Sequence, residues 1–376
     1  MKGKPLTALE TSLGEGLSCE LNAALKRLQL WPLEGAKPLT LGLSNQNWFL
    51  QAGSESMVLR VNSPGSDRIC DRNNELACWR VAEKANLAPG LIWVSADKGL
   101  YLSRFIEQAP QANWQQLLAS KGAAEIASAA QKAYANSKNL SGLPEHKHEP
   151  RHDSKHEPRH DSKHEPRHES KHEGGSGAVL GAKQGKSPQA LLLELLLGLR
   201  ALPAPKLEIS VAEQWRIYLE RLDDMALSRG QPSSWQQRLM QLHSAQGLFE
   251  QCNTRLEACL LRPQYCHRDL NPHNLLLAED GLKCVDFEYA CASHPLFELA
   301  GVLSSHQLSA EGQQWLIYHY LEQHPHLTGD ALLAVAAAVD VYWLFACCWA
   351  LQMAWDNQQQ SYLDWFDDFW HLVKHQ

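Results

Sequence analysis

Cysteines paired at metal-binding spacing are missing from this sequence. Its ten cysteines (19, 70, 78, 252, 259, 266, 284, 291, 347 and 348) contain no C-x-x-C, which removes zinc ribbons and thioredoxin-like redox motifs from consideration. Most sit among apolar neighbours, the pattern of reduced core thiols in a cytoplasmic protein. A basic excess is missing too. Lys+Arg number 35 against 42 Asp+Glu, a formal charge of −7, so no global positive field invites nucleic acid. No basic-then-apolar leader opens the chain, and export is not expected. Only one hydrophobic run approaches membrane-spanning length, residues 331–355, and it carries Asp340 at its middle without a basic flank. A buried core helix is the expected reading, with no membrane insertion.

What is present is enough chain, 376 residues with 44% apolar content, for two lobes with cores of their own. An amphipathic helix is expected around Glu20–Leu30, stopped near Trp31-Pro32. Leu39 to Asn62 then reads as strand, turn, strand, turn, strand. Its first turn, from Gly42 through Ser44 and Asn45, is a short polar loop whose backbone N–H groups can close over phosphates. Arg60 interrupts the apolar strand Met57–Val61, and a buried strand rarely carries Arg without a partner. Glu75, on the helix that follows, is the candidate partner. Further strands are expected at Leu91–Val94 and Leu100–Ile106, and the order of elements puts an inter-lobe hinge at Arg104, Phe105 and Ile106, where an adenine would bind.

Residues 109–187 break this pattern. Three eight-residue units follow one another (KHEPRHDS, KHEPRHDS, KHEPRHES, residues 147–170), and eight histidines lie between 146 and 172 with no large apolar residue. Nothing there can bury, so a disordered, solvated insertion is expected; loose binding of zinc, nickel or copper is the alternative. From 188 onward the chain reads as mainly helical. The expected organisation is therefore a nucleotide-binding β-rich lobe over 1–108, the insertion over 109–187, and a helical catalytic and acceptor-binding lobe over 188–376.

The stretch 266–290 carries the chemistry: CHRDLNPHNLLLAEDGLKCVDFEYA. Two apolar runs flank Asp280-Gly281, the signature of a hairpin, which would return Asp286 to the side of Asn274. Asp269, Asn274 and Asp286 then match the parts of a phosphoryl-transfer site: a carboxylate for the acceptor hydroxyl's proton, and an Asn and an Asp for magnesium on ATP. His267 is expected to brace the loop from below.

These motifs resemble the aminoglycoside phosphotransferase and choline kinase superfamily. The matching pieces are Gly42-Leu-Ser-Asn-Gln-Asn-Trp, Val58-Leu-Arg60-Val, Glu75, Leu87-Ala-Pro89, Arg200-Ala-Leu-Pro203, His267-Arg-Asp269 with Asn274, Val285-Asp286-Phe-Glu288-Tyr289, and Pro295 to Ala300. Within it the pattern is most similar to choline/ethanolamine kinases, with thiamine kinases next and aminoglycoside phosphotransferases after them. The resemblance implies an α+β, two-lobed protein-kinase-like fold, use of ATP and Mg²⁺, and phosphorylation of a hydroxyl on a small cationic metabolite. It also implies a cation pocket, for which Glu288, Tyr289 and Trp349 are the candidates, Trp349 lying on an aromatic stripe with Tyr342 and Phe345. Departures are visible. No G-x-G-x-x-G and no Ala-Pro-Glu occur, so a protein kinase's peptide-docking segment has no sequence to occupy, and His294 stands where an acidic residue is expected.

Overall fold

Alternation of buried and open side chains builds the N-terminal lobe. In the computed structural model, which describes residues 4–39, 45–63, 70–108, 113–119, 186–227 and 232–374, strands β1 (Gly35–Leu39), β2 (Gln46–Ala52), β3 (Glu55–Val61), β4 (Leu91–Val94) and β5 (Leu100–Arg104) form one antiparallel sheet in the order β1-β2-β3-β5-β4. Trp48, Leu50, Met57, Leu59, Leu100 and Leu102 point to one face and are buried, as a period of two requires. Helix α1 (Lys4–Arg27) covers that face with Leu9, Leu13, Leu21 and Leu25. It is longer than the Glu20–Leu30 segment the sequence suggested. Fully burying each such Leu contributes roughly 1.5–3 kcal/mol, and Leu50→Ala would lose that and leave a cavity.

Helix α2 (Arg72–Lys84) starts where Asp71 accepts the N–H groups of Asn73 and Asn74 (2.9 and 3.2 Å), an N-cap that fixes the first turn and with it Glu75. The short helix α3 (Trp114–Ala119) packs on the chain at 272–278, and Trp114 lies in the C-terminal core. This part of the segment read as insertion thus belongs to the helical lobe. The histidine repeats, and the order or disorder expected of them, lie outside the described residues.

The helical lobe contains α4 (Pro188–Arg200), α5 (Val211–Ala226), α6 (Ser233–Ser244), α7 (Gln246–Cys259), α8 (Pro295–Ser305), α9 (Ala310–Leu321), α10 (Ala331–Asn357) and α11 (Gln360–Trp370). Helix α10 is its axis. It packs against α5, α6, α7, α8 and α11, and Ala334, Ala337, Ala338 and Ala350 let those neighbours approach closely. It is long and apolar enough to cross a membrane by length and composition, and about three fifths of that apolar window (61%) is buried against protein here. Asp340, fully buried, accepts the Lys374 N–H at 2.9 Å.

Two small pairs complete the lobe, β6 (Gln264–Cys266) with β9 (Cys291–Ser293) and β7 (Leu275–Ala278) with β8 (Gly281–Cys284). The second is the hairpin read from the sequence, turning at Gly281 with φ 134°.

Candidate active site

The hairpin register sets the site. Leu275 pairs with Cys284, and the Val285 N–H donates to Asn274 O at 3.0 Å, so Asn274 and Asp286 leave the hairpin side by side. Asp269 is held from both oxygens: Asn271 Nδ2 donates to Oδ1 at 2.8 Å and Asn274 Nδ2 to Oδ2 at 2.7 Å. Burial raises the Asp269 carboxyl above the ordinary aspartate range, and these two amides pull it partly back. A raised value makes the carboxylate a better proton acceptor near neutral pH.

His267 is fully buried, and burial lowers its imidazole to about 4. The ring is therefore neutral. It lies 4.7 Å from the Phe287 ring, with Nε2 3.0 Å from Val285 O, tying the loop to the hairpin strand without touching the reacting side.

The sequence reading missed the group that holds this loop from behind. Glu298, on α8, accepts the N–H groups of His267 and Arg268, both at 2.8 Å. Arg268 needs that support because its φ is 68°, a left-handed conformation costly for a side chain with a Cβ. Burial pushes the Glu298 carboxyl up to about 7 despite the two N–H donors. An acidic residue early in a helix that follows a His N-cap was its only signal in the sequence. His294, flagged for standing where an acid was expected, is that cap: its Nδ1 accepts the Leu296 N–H at 3.0 Å.

On the opposite side lies an ion network. Glu75 is fully buried and accepts from Arg60, from Arg72 Nη1 at 2.9 Å and from Tyr101 OH at 3.1 Å. Burial alone would raise its carboxyl, but the two guanidiniums outweigh burial and hold it below the usual range. Arg60 also reaches Asp286 Oδ1 at 3.2 Å, so the strand cation arrives at the catalytic hairpin. The Asp286 carboxyl is pushed up to about 7 by burial, with Arg60 acting against the rise; its φ is 67°, also left-handed. Arg72, Tyr101 and the Cys70 thiol, 3.5 Å from Glu75, were not legible as partners in the sequence.

Two expected placements change. Glu288 was assigned to a cation pocket, yet its Oε1 accepts from Asn45 Nδ2 and Arg72 Nη1, each at 2.9 Å, and Arg60 lies 3.6 Å away. Cations of the N-terminal lobe already claim it. Trp349 was assigned to the same pocket, and its ring contacts are with Tyr362 and Trp365 of α11, 6.2 and 6.0 Å between centroids. Trp349 shares roughly the face of Phe345 but lies about one turn further along α10, where α11 covers it, while Phe345 packs on Trp215, Phe249 and Phe297. Tyr289 and Tyr342 of α10 are half-buried, and the charge of Asp269 helps to raise the hydroxyl of each. Burial, the larger cause, raises the hydroxyls of these two and of Tyr218 of α5.

Of the residues expected to meet the nucleotide, Asn45 is the inter-lobe clamp on Glu288 just described, and Gly42 and Ser44 lie outside the described residues. The Arg104 and Phe105 N–H groups are spent on Gly90 O (2.7 Å) and Ser56 O (3.0 Å). Among the three hinge candidates, only the Ile106 N–H has no partner among the described residues. The Arg104 side chain pairs with Glu55 in solvent.

The donor set fits magnesium. The Asn274 amide oxygen and Asp286 Oδ2 have no hydrogen-bond partner among the described residues, and they are hard oxygen ligands on adjacent backbone. The carboxylates of Glu75, Asp286 and Glu288 also converge within 4.8 Å. Arg60 and Arg72 neutralise them, so that group is an ion-pair cluster, not a metal cage.

A five-stranded sheet facing a helical lobe, with an Asp-bearing loop and an Asn–Asp hairpin at their junction, defines the two-lobed kinase-like fold. Within that class, residues 173–329 match the model of the phosphotransferase enzyme family (APH). The protein LicA of Haemophilus influenzae is 32% identical over 114 residues, 30% of this chain and 39% of the relative. The chain thus spans less than two fifths of the length of that relative. Among solved structures, the choline kinase LicA from Streptococcus pneumoniae superposes with a TM-score of 0.59 at 12% identity, over 94% of this chain and 98% of that one. A choline/ethanolamine kinase family protein from Mesorhizobium loti gives 0.55 at 18% identity, over 91% and 88%. At these identities the likeness is one of fold.

Proposed function

We propose that this protein is an ATP- and Mg²⁺-dependent phosphotransferase that phosphorylates the hydroxyl of a small, cationic metabolite, with choline and ethanolamine the first candidates, and that it works in the cytoplasm. The observation that carries this reading is the gathering of Asp269, Asn274 and Asp286 on one loop and hairpin, with Arg60 brought to Asp286 from the other lobe. In this reading Asp269, oriented by two amides, accepts the acceptor's hydroxyl proton. Asn274 and Asp286 hold magnesium, which when bound neutralises charge on the phosphates. Arg60, fixed by Glu75, faces the phosphates, and the half-buried faces of Tyr218, Tyr289 and Tyr342 border the acceptor. Nucleotide use is supported by the AMP complex of a LicA with the same fold.

The test is ADP release with Mg-ATP across choline, ethanolamine, thiamine and an aminoglycoside, with Asp269→Asn alongside. Turnover on one acceptor is expected, and the mutant should lose roughly 10²–10⁴-fold in kcat, the usual contribution of a positioned base, with KM little changed. An Asp269→Asn enzyme as fast as the wild type would remove the proposed base.

A further inference from the structure

Arg268 is a cation with no carboxylate at ion-pair distance among the described residues. It follows the bracing His267 and precedes the base Asp269, and its side chain is half-buried. Its Nη1 reaches only the thiol of Cys291, at 3.4 Å, and its guanidinium lies 5.3 Å over the Phe297 ring. Its Nε is buried with no hydrogen-bond partner, and no carboxylate among the described residues lies within ion-pair distance. The nearby acids are committed elsewhere. Both Glu298 oxygens take backbone N–H groups, and both Asp269 oxygens take side-chain amides. The guanidinium is half-buried, and its Nε, shut off from water without a partner, carries an uncompensated desolvation cost. Arg72, the comparable cation across the cleft, has two carboxylates.

The position of Arg268 indicates what would complete it. Tyr218 is coupled to both Arg268 and Asp269. Phe297 beneath the guanidinium also touches Tyr342, at 6.1 Å between centroids, and Phe345, at 5.2 Å. Phe297 thus links the guanidinium to Tyr342, one of the tyrosines proposed to border the acceptor. Glu288, the acid that a simple cationic acceptor would have used, is bound to Arg72 and Asn45.

We infer that Arg268 is a specificity-determining residue that binds an anionic oxygen group on the acceptor, so that the acceptor is a zwitterion: a hydroxyl at Asp269, an ammonium against the tyrosine faces and a carboxylate on Arg268. The inference rests on the phosphotransferase reading and moves its first candidates from the amino alcohols choline and ethanolamine to hydroxy amino acids, which carry the same hydroxyl and ammonium plus a carboxylate. Guanidinium suits this role because its planar fork pairs with a carboxylate in a fixed geometry, and a Lys ammonium would serve less well.

Acceptors that differ by one carboxylate test it: ethanolamine against serine, and 3-aminopropan-1-ol against homoserine, each with Mg-ATP. The wild type should favour the carboxylate-bearing member of at least one pair by tenfold or more in kcat/KM. Arg268→Gln should erase that preference through KM, with kcat changing much less, and Arg268→Lys should restore part of it. A purely packing role predicts equal losses for both members of a pair and no rescue by Lys. Wild-type preference for the amino alcohols, unmoved by Arg268→Gln, would overturn the inference and leave the phosphotransferase reading intact. If no acceptor turns over, that reading fails first, and calorimetry of serine and homoserine with the Mg-ADP-loaded protein decides the inference separately. Binding that weakens tenfold in Arg268→Gln upholds it, and no binding rejects it. Unfolding curves of each variant show whether the fold survives the substitution.

Discussion

Glu75 and Glu298 are both buried carboxylates, one on each side of the cleft, and they are held in opposite ways. Glu75 sits among guanidiniums that keep it ionised and below the usual carboxylate range. Glu298 has only two backbone N–H donors, and burial pushes it up to about 7. The sheet side of the site is thus ordered by compensating charges on long side chains. The helical side is ordered by short contacts to the backbone of the catalytic loop. Charge is tolerable inside the first region because each anion has a cation; the second uses a carboxyl as a shaped acceptor for a strained turn.

The sharpest way to break this contrast is to remove charge from one member at a time. Glu75→Gln leaves Arg60 and Arg72 buried with their main partner neutral, and a stability loss of about 3–5 kcal/mol is expected in denaturant unfolding, as for other broken buried pairs. Glu298→Gln keeps an acceptor oxygen for one of the two N–H groups, so it should cost only about 1–3 kcal/mol, with kcat falling because the loop bearing Asp269 loosens. Equal losses for the two variants would erase the distinction.

Acid sharpens the comparison next. His267, His294 and His306 are each lowered to about 4 by burial, and His324 to about 3 by burial and then by Arg200. All four lie in the helical lobe, and none of the chain's 18 histidines lies in residues 1–108. Their folded values are below the ordinary 6.5, so the unfolded chain binds more protons as pH falls. The stability they confer is fully present above about 6.5 and is lost as pH falls through about 4, by up to roughly 1.4 kcal/mol per histidine per pH unit. Hydrogen exchange at pH 5 should therefore speed up in α10 before it does in β2 and β3. Faster exchange in the sheet first would contradict the assignment of acid sensitivity to the helical lobe.

The smallest effect belongs to the Arg104–Glu55 pair, 3.1 Å apart but with side chains 63% and 48% exposed. Glu55→Ala should cost under about 1 kcal/mol. A larger cost would show that the sheet side relies on surface charge as well as on the buried network.

Local pattern made much of this visible in advance. Period-two alternation gave the strands around Arg60, and the Asp280-Gly281 turn between apolar runs gave the hairpin that joins Asn274 to Asp286. The long apolar stretch with Asp340 became the axial helix of the helical lobe. Other features had no local signature. Arg72 is an ordinary first-turn residue until the fold sets it between Glu75 and Glu288. Trp349 looked like one member of an aromatic stripe, but a helix packed on nearly every side has no single inward face, and neighbouring helices decided where each ring went.

The sequence by itself determined the lobes, the hairpin and the candidate groups of the site, because turn residues, side-chain period and short-range spacing are local properties of the chain. Only the tertiary structure decided which charges are satisfied. Glu288 is separated from Asn45 by 243 residues and from Arg72 by 216, and no spacing rule spans such distances. The same is true of Arg268, whose lack of a carboxylate partner among the described residues becomes visible only when the groups around it have been placed.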